Sequence, residues 1–424
     1  RRRRALAVTG LAVLLGTFLA GTLLLCADPR LRKDDFRAVA RYIESHIAAD
    51  ETVLLLSGHV FPAWDYYYSG DWTPVPHLEV IDLNRTVDYS VANILNGALE
   101  NKRGAWVVRW QDQIIDPNGF VQMMLDQAGQ LQPTPDDFHG VGVWHYRWDA
   151  PPRFRVQPDI AQPLEVTFGP IELLGYTQGP DTLTLFWQAR DKPDRDYKVS
   201  LRLHDGQYAW GALDRWPSTH LYPTSFWKSG EVLFGREMIP LSPGTPPGQY
   251  LVGVSLYDEQ SLQALYAVDA AGQALGVWVS LPVTLTQTWG GQHVPRDLAH
   301  PLAAQLNDDI TLLGYDLDVS QAPSGGPLHV ELYWQARRAP TTDYAVRIGW
   351  ITVEGAPIAE IAYPLASQHP PRDWRAGEFV RGHYALPPPP VPGTFDLRIQ
   401  LLDENGSWAS EYLLLQSVIV PSTP

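Results

Sequence analysis

Hydrophobic positions along this chain change their spacing twice, and each change marks a boundary. Residues 5–27 are apolar almost throughout and carry no charge. At about 1.5 Å of rise per residue the run spans roughly 34 Å as a helix, enough for a hydrocarbon core of about 30 Å. From Phe36 the apolar residues fall at helical intervals. Phe36, Val39, Ala40, Ile43 and Ile47 share one stripe, with Asp34 placed to cap it. Residues 52–56 predict a buried strand, 87–99 a helix turning Val91, Ile94, Leu95 and Leu99 inward, and 105–110 a second strand. Asp116-Pro117 predicts the start of a third helix, the acid as cap and the proline in the first turn, with Phe120, Met124 and Leu125 inward. Residues 141–146 predict a closing strand. Strands alternating with helices imply a small α/β domain with a largely parallel sheet.

After a proline-rich stretch, 150–163, the helical period vanishes and alternation takes over. That stretch reads as a stiff linker. The rest of the chain is one module written twice. Ile171-Glu-Leu-Leu-Gly-Tyr176 returns as Ile310-Thr-Leu-Leu-Gly-Tyr315, and Leu183-Thr-Leu-Phe-Trp-Gln-Ala-Arg190 returns as Val330-Glu-Leu-Tyr-Trp-Gln-Ala-Arg337. Asp196-Tyr197 matches Asp343-Tyr344, Trp227 with Gly230-Glu231 matches Trp374 with Gly377-Glu378, and Pro247-Gly248 matches Pro392-Gly393. Matched blocks in one order, with offsets drifting only where loops tolerate insertion, identify a duplication. In each copy about seven strand-like runs alternate apolar and polar residues. That pattern predicts two tandem all-β sandwiches of immunoglobulin-like size, each burying its own core. The expected architecture is thus multi-domain. It comprises a transmembrane helix with a basic flank (1–29), an α/β domain (30–149), the linker (150–163), a first sandwich (164–288), a second linker (289–302) and a second sandwich (303–424).

Composition sharpens the picture in three places. The only basic run, residues 1–4, precedes the apolar segment, so the positive-inside rule leaves those arginines in the cytoplasm and the bulk of the chain extracytoplasmic at the cell membrane. A secretory signal peptide has a shorter apolar region of about 7–15 residues, and Leu25 before Cys26 does not suit lipoprotein cleavage. The chain opens on Arg rather than Met, as the tail of a longer multi-pass protein would. A net charge of −15 argues against nucleic acid as a partner. With a single cysteine, no internal disulfide framework is available and the domains must be stable on packing.

Catalytic chemistry is not written in the chain. It has no glycine-rich phosphate loop, no nucleophile elbow, no HExxH and no clustered acids for a metal, and no cofactor is expected. Asp136-Asp137 reads as a turn. The most site-like stretch is 57–77, leaving the carboxyl end of the first strand, where open α/β sheets place ligands. It carries His59, Trp64, Asp65, Tyr67, Asp71, Trp72 and His77, aromatics and carboxylates suited to a sugar or a polyprenyl-phosphate headgroup, with the two histidines lacking any tight metal spacing; the same loop could instead lie on a membrane interface or a neighbouring domain. Trp187 and Trp334 read as core. Trp227 and Trp374, placed in loops before Gly-Glu, either plug the ends of the sandwiches or stack on glycan.

A basic flank, an apolar helix, then Asp35-Phe-Arg-Ala-Val-Ala-Arg-Tyr-Ile43 and Asp50-Glu-Thr-Val-Leu-Leu-Leu56 resemble the C-terminal end of bacterial membrane glycosyltransferases of family 39, related to dolichyl-phosphate-mannose protein mannosyltransferases. Trp106-Val-Val-Arg-Trp110 and Asp116-Pro117 fit the same pattern. The resemblance covers about a third of the chain and omits the loop that supplies the family's catalytic acids, so no catalytic residue carries over. It implies the extracytoplasmic region of a polyprenyl-phosphate-sugar-dependent enzyme, covering its active site or holding cell-envelope glycan, with membrane lipid as a partner. The rival expectation is a single-pass surface protein whose sandwiches act as spacer, adhesion or carbohydrate-binding modules.

Overall fold

The structure, a computed structural model, describes residues 2–27, 33–79, 86–135, 138–292, 298–320, 326–389 and 391–420. The turn expected at Asp136-Asp137, residue 1 of the basic flank and the middle of the second linker lie outside the described residues. Helix α1 (Arg2–Ala27) is unbroken. Its side chains are described over 9–24, and Leu14, Phe18 and Leu24 are 66–75 % exposed on different sides of the helix. Among the described residues no helix is long and apolar enough to cross a membrane.

The α/β domain packs α2 (Phe36–His46), α3 (Phe61–Tyr67), α4 (Val91–Ala98), α5 (Asp112–Ile115) and α6 (Phe120–Ala128) around one sheet. Its strands are β1 (Glu51–Leu56), β2 (Trp72–Val75), β3 (Gly104–Arg109), β4 (Gln130–Gln132) and β5 (Gly142–Arg147), in the order β2-β1-β3-β5-β4. Only β2-β1-β3 is parallel; β5 and β4 run antiparallel, so the sheet is mixed rather than largely parallel. The antiparallel half arises because α6 returns the chain through the short β4 hairpin arm rather than a full crossover. Two caps also differ from expectation. Asp35, not Asp34, accepts the Ala38 N–H at 3.0 Å, while Asp34 accepts from the Trp110 indole at 2.6 Å. Asp116 caps from further back: the chain breaks after α5, and its carboxylate accepts from the N–H groups of Phe120 and Val121 at 2.8 and 2.9 Å.

Each sandwich stacks two antiparallel sheets. The first copy has strands β6 (Gln162–Phe168), β7 (Ile171–Gln178), β8 (Thr182–Ala189), β9 (Tyr197–His204), β10 (Ala209–Arg215), β11 (Val232–Met238), β12 (Gly248–Asp258), β13 (Ala267–Val268), β14 (Ala274–Gly276) and β15 (Val279–Leu285). The second has β16 (His300–Gln305), β17 (Ile310–Asp318), β18 (Leu328–Ala336), β19 (Tyr344–Thr352), β20 (Pro357–Pro364), β21 (Phe379–Leu386), β22 (Gly393–Asp403) and β23 (Leu413–Val420). The sheet orders β11-β8-β7-β6 and β10-β9-β12-β15 recur as β21-β18-β17-β16 and β20-β19-β22-β23. The one addition is the β13-β14 hairpin on β6. The repeated Leu-Leu-Gly-Tyr has a physical cause. Both copies place a bulge there, and a Cβ on Gly175 or Gly314 would come within 2.3 or 2.6 Å of the carbonyl oxygens of Gln162 or His300.

The domains are joined by more than chain. The segment read as a stiff linker docks instead: Phe154 N and O bond both ends of the Asn96 side-chain amide, and β6 already begins at Gln162. Phe186 and Phe234, on the outer face of the β8-β11 sheet, enter the α/β core beside Phe120. The outer face of β18-β21 meets the first sandwich in the same manner, with His383 stacked on Tyr208 at 5.3 Å and Arg381 N donating to Gly244 O at 2.8 Å. Each sandwich therefore carries, on one and the same face, the domain that precedes it.

Candidate functional site

The stretch 57–77 is not a loop. It forms a 3₁₀ turn (Gly58–Val60), then α3, then β2. Ser57 turns the chain at the carboxyl end of β1 with a left-handed φ of 76°, and its N–H reaches across to Val75 O at 3.0 Å. Gly58 follows because nothing larger fits: a Cβ there would lie 2.3 Å from His77 O. Three polar atoms of this turn and of the strand end beside it are buried. Ser57 Oγ, His59 Nδ1 and His77 Nε2 are buried and make no hydrogen bond. The His77 Nδ1 accepts from Glu79 N at 3.1 Å, so the neutral ring carries its proton on Nε2, facing inward as a donor. Burial, and the charge His77 would carry when protonated, lower the pKa of His59 and favour its neutral ring. The Trp110 ring closes one side, 5.5 Å from His59.

The other expected residues divide. Asp65 and Trp72 pair with each other, the indole donating to the carboxylate at 2.7 Å, on an exposed ridge where Arg37 lies 5.2 Å over Tyr67. Tyr66 beside them is 79 % exposed. Asp71 is exposed at the end of the same ridge. Trp64 is core: it is fully buried and stacks on Tyr68 at 4.7 Å. The expectation of a ligand contact from Trp64 is corrected accordingly, because an α-helix of this length shows one face to the sheet and Trp64 is on it.

Trp227 and Trp374 are corrected in the same way. Both are sealed, 0 and 1 % exposed, and offer no ring face to a glycan. A 3₁₀ turn, Thr224–Phe226 or Pro371–Asp373, folds each indole inward, where its N–H meets the carbonyl five residues back, Tyr222 O or His369 O. The Gly-Glu after each completes the corner, with Glu231 and Glu378 accepting from the N–H of Lys228 and Arg375. The glutamates recur because this corner recurs.

Glu51 has the look of a catalytic acid and is structural. It is 4 % exposed at the amino end of β1, the opposite end from the histidines. Ala48 N and the Trp106 indole donate to one oxygen, His145 and Arg147 meet the other, and the His145 ring stacks on Trp106 at 3.9 Å. Burial works against its charge, but these bonds outweigh it and hold the carboxyl below its ordinary pKa. Sequence reasoning passed over this network because its members are scattered over nearly a hundred residues. No grouping of His, Cys, Asp and Glu among the described residues could hold a metal ion.

No family model matches the chain, and no curated protein matches it. Solved structures similar to it include the chicken interferon gamma receptor alpha chain, at 8 % identity over 62 % of this chain and 100 % of that one, with a TM-score of 0.17. A two-domain fibronectin type III segment of chicken tenascin is 9 % identical over 62 % of this chain and 99 % of that one, TM-score 0.15. A GH2 beta-galacturonidase from Eisenbergiella tayi is 10 % identical over 62 % and 45 %, TM-score 0.18. The sandwich assignment rests on the sheet orders themselves.

Proposed function

We propose that the chain is the extracytoplasmic region of a membrane-bound, polyprenyl-phosphate-sugar-dependent glycosyltransferase-like protein, not catalytic by itself. The observation that carries this reading is that Ser57 Oγ, His59 Nδ1 and His77 Nε2 are all buried and unpartnered beyond the carboxyl ends of parallel strands. A hydroxyl and two imidazoles make a donor set for the oxyanion of a phosphate headgroup, and the open end of a parallel sheet is where such ligands bind. The aromatic ridge of Tyr66, Tyr67 and Trp72 suits the lipid interface beside it. The outward apolar side chains of α1, covered by nothing else among the described residues, support its role as a membrane anchor. The sandwiches then space or orient an envelope glycan. The sealed Trp227 and Trp374 favour spacing over gripping, which is also what a single-pass surface protein would use them for.

The test is reconstitution of the full chain into vesicles with and without a polyprenyl phosphate. The expected result is protection of α1 from protease and histidine NMR shifts at His59 and His77 on adding the polyprenyl phosphate, lost in His59→Ala/His77→Ala. A chain that stays in the aqueous phase sinks the anchor. Histidine signals that ignore the lipid sink the headgroup site and leave the spacer.

A further inference from the structure

The same sheet face carries a preceding domain in both copies, and each seam leaves a cleft with its own lining. Over β21 a cleft of about 330 Å³ is lined by aromatic rings, with Tyr208 flat on His383 and Trp210 edge-on to it at 4.5 Å. Burial, reinforced by the Arg381 charge, pushes the His383 pKa down to about 3, so this ring stays neutral between its aromatic neighbours. Over β11, at the corresponding place, the cleft is about 410 Å³ and lies between α6, the proline-rich segment and the first sandwich. Its volume lies within the ordinary range for small-molecule sites, and domain interfaces are where such sites concentrate.

The lining has two characters. Met123, Met124, Phe186 and Phe234 give an apolar floor, while Tyr89 and Arg236 supply polar atoms. Tyr89 is 7 % exposed and its hydroxyl is buried without a partner, which is costly unless something meets it. Arg153 and Arg155 at the rim already face Glu100 and Asp159, at 3.8 and 3.6 Å. Arg236 makes no ion pair among the described residues. The roof is held in place by the Phe154–Asn96 bonds, so the cleft is preformed rather than a gap between loose domains. An apolar floor, one uncommitted guanidinium and one stranded hydroxyl define the complement of a particular ligand.

We propose that this cleft binds a small amphipathic organic anion, its apolar body on Phe186, Phe234 and the two methionines and its carboxylate or phosphate at Arg236 and Tyr89. This site is separate from the strand-end cluster of Ser57, His59 and His77 and does not depend on its function. The full chain in nanodiscs is titrated with 3-phenylpropionate, phenyl phosphate and neutral 3-phenylpropanol, followed by saturation-transfer NMR. Saturable binding of at least one anion, with the alcohol about tenfold weaker, is expected, because a hydrogen bond to a charged group is worth about that factor. The preferred anion identifies the head. Arg236→Gln, an exposed change that leaves the core intact, and Tyr89→Phe should each weaken anion binding several-fold. Thr184→Trp, filling the cleft from the strand position paired with Arg236, should abolish it. Absence of saturable binding, equal binding of the alcohol, or anion binding indifferent to Arg236→Gln and Tyr89→Phe overturns the proposal.

Discussion

The two sandwiches share a skeleton and differ in their polar contents. Strand order, the bulge at the repeated glycine, and the corner of buried Trp and Glu are the same in both. Inside, the copies have drifted. Trp334 donates its indole N–H to the Tyr384 hydroxyl at 3.0 Å, whereas the Trp187 N–H is buried with no partner. At the corner, Glu231 faces the Tyr222 hydroxyl, and its counterpart Glu378 faces His369 at 3.0 Å and the Thr288 hydroxyl at 2.5 Å. Backbone geometry is thus held where a close approach or a large ring dictates it. Polar partners vary wherever a second arrangement satisfies, or nearly satisfies, the same buried group.

The strongest way to break the comparison is to remove the shared anchor. Trp227→Ala and Trp374→Ala should each cost about 3–5 kcal/mol, read as a shifted urea midpoint for the affected sandwich. A copy that loses less than about 1 kcal/mol is not built around its corner. Tyr384→Phe makes the second copy resemble the first by stranding the Trp334 N–H, and about 1–3 kcal/mol of destabilisation is expected. The same unfolding assay, run beside the parent chain, checks it.

The glutamates sharpen the contrast through pH. Burial raises the pKa of Glu231, and its local hydrogen bonds only partly offset that. Burial also opposes the charge of Glu378, but the bonds from His369, Arg375 N and Thr288 prevail and lower its pKa. A lowered carboxyl contributes stability present above its unfolded pKa and lost as pH falls through the folded value; a raised one contributes stability present at low pH and lost as pH rises through the folded value. Glu378→Gln should therefore cost about 1–2 kcal/mol at pH 7 and progressively less below about pH 4. Glu231→Gln should have the smaller effect, under about 1 kcal/mol, and the opposite trend, its relative cost shrinking as pH rises from about 4 through the raised pKa of the folded carboxyl. Denaturation curves across that range would show two lines of opposite slope; parallel lines would mean that the two corners are electrostatically alike.

Much of the sandwich pair was legible in the sequence, because period-two alternation and the matched blocks report the core directly. The α/β domain was readable where helices were long enough to show a stripe, as in α2. It failed at α3, seven residues among prolines and aromatics, where two turns are too few for a period to appear. Trp64 was then read with its neighbours as a ligand contact, although it turns into the core with Tyr68. The antiparallel β4-β5 pair was missed because three residues of β4 carry no pattern. The docked faces were hidden for a different reason. Phe186 and Phe234 sit at positions that alternation assigns to solvent, and Phe154 lies in the stretch read as a linker; only the neighbouring domain makes them interior. Of the candidate site, the stretch at the end of β1, with His59 and His77 in it, was singled out from the sequence; that Ser57 Oγ, His59 Nδ1 and His77 Nε2 are buried there depends on a left-handed turn and a close backbone approach that local sequence does not announce.

That each sandwich seats its predecessor on one fixed face gives the assembly a polarity, like units added to a growing polymer. Such head-to-tail contacts close only if their rotation closes, and otherwise run on as fibres. In this chain the sequence of seats begins with the α/β domain, which covers Phe186 and Phe234 and so acts as a terminator for the series. Without it, the first sandwich would offer an aromatic seat with no occupant, and the nearest sandwich of another molecule would be a ready one.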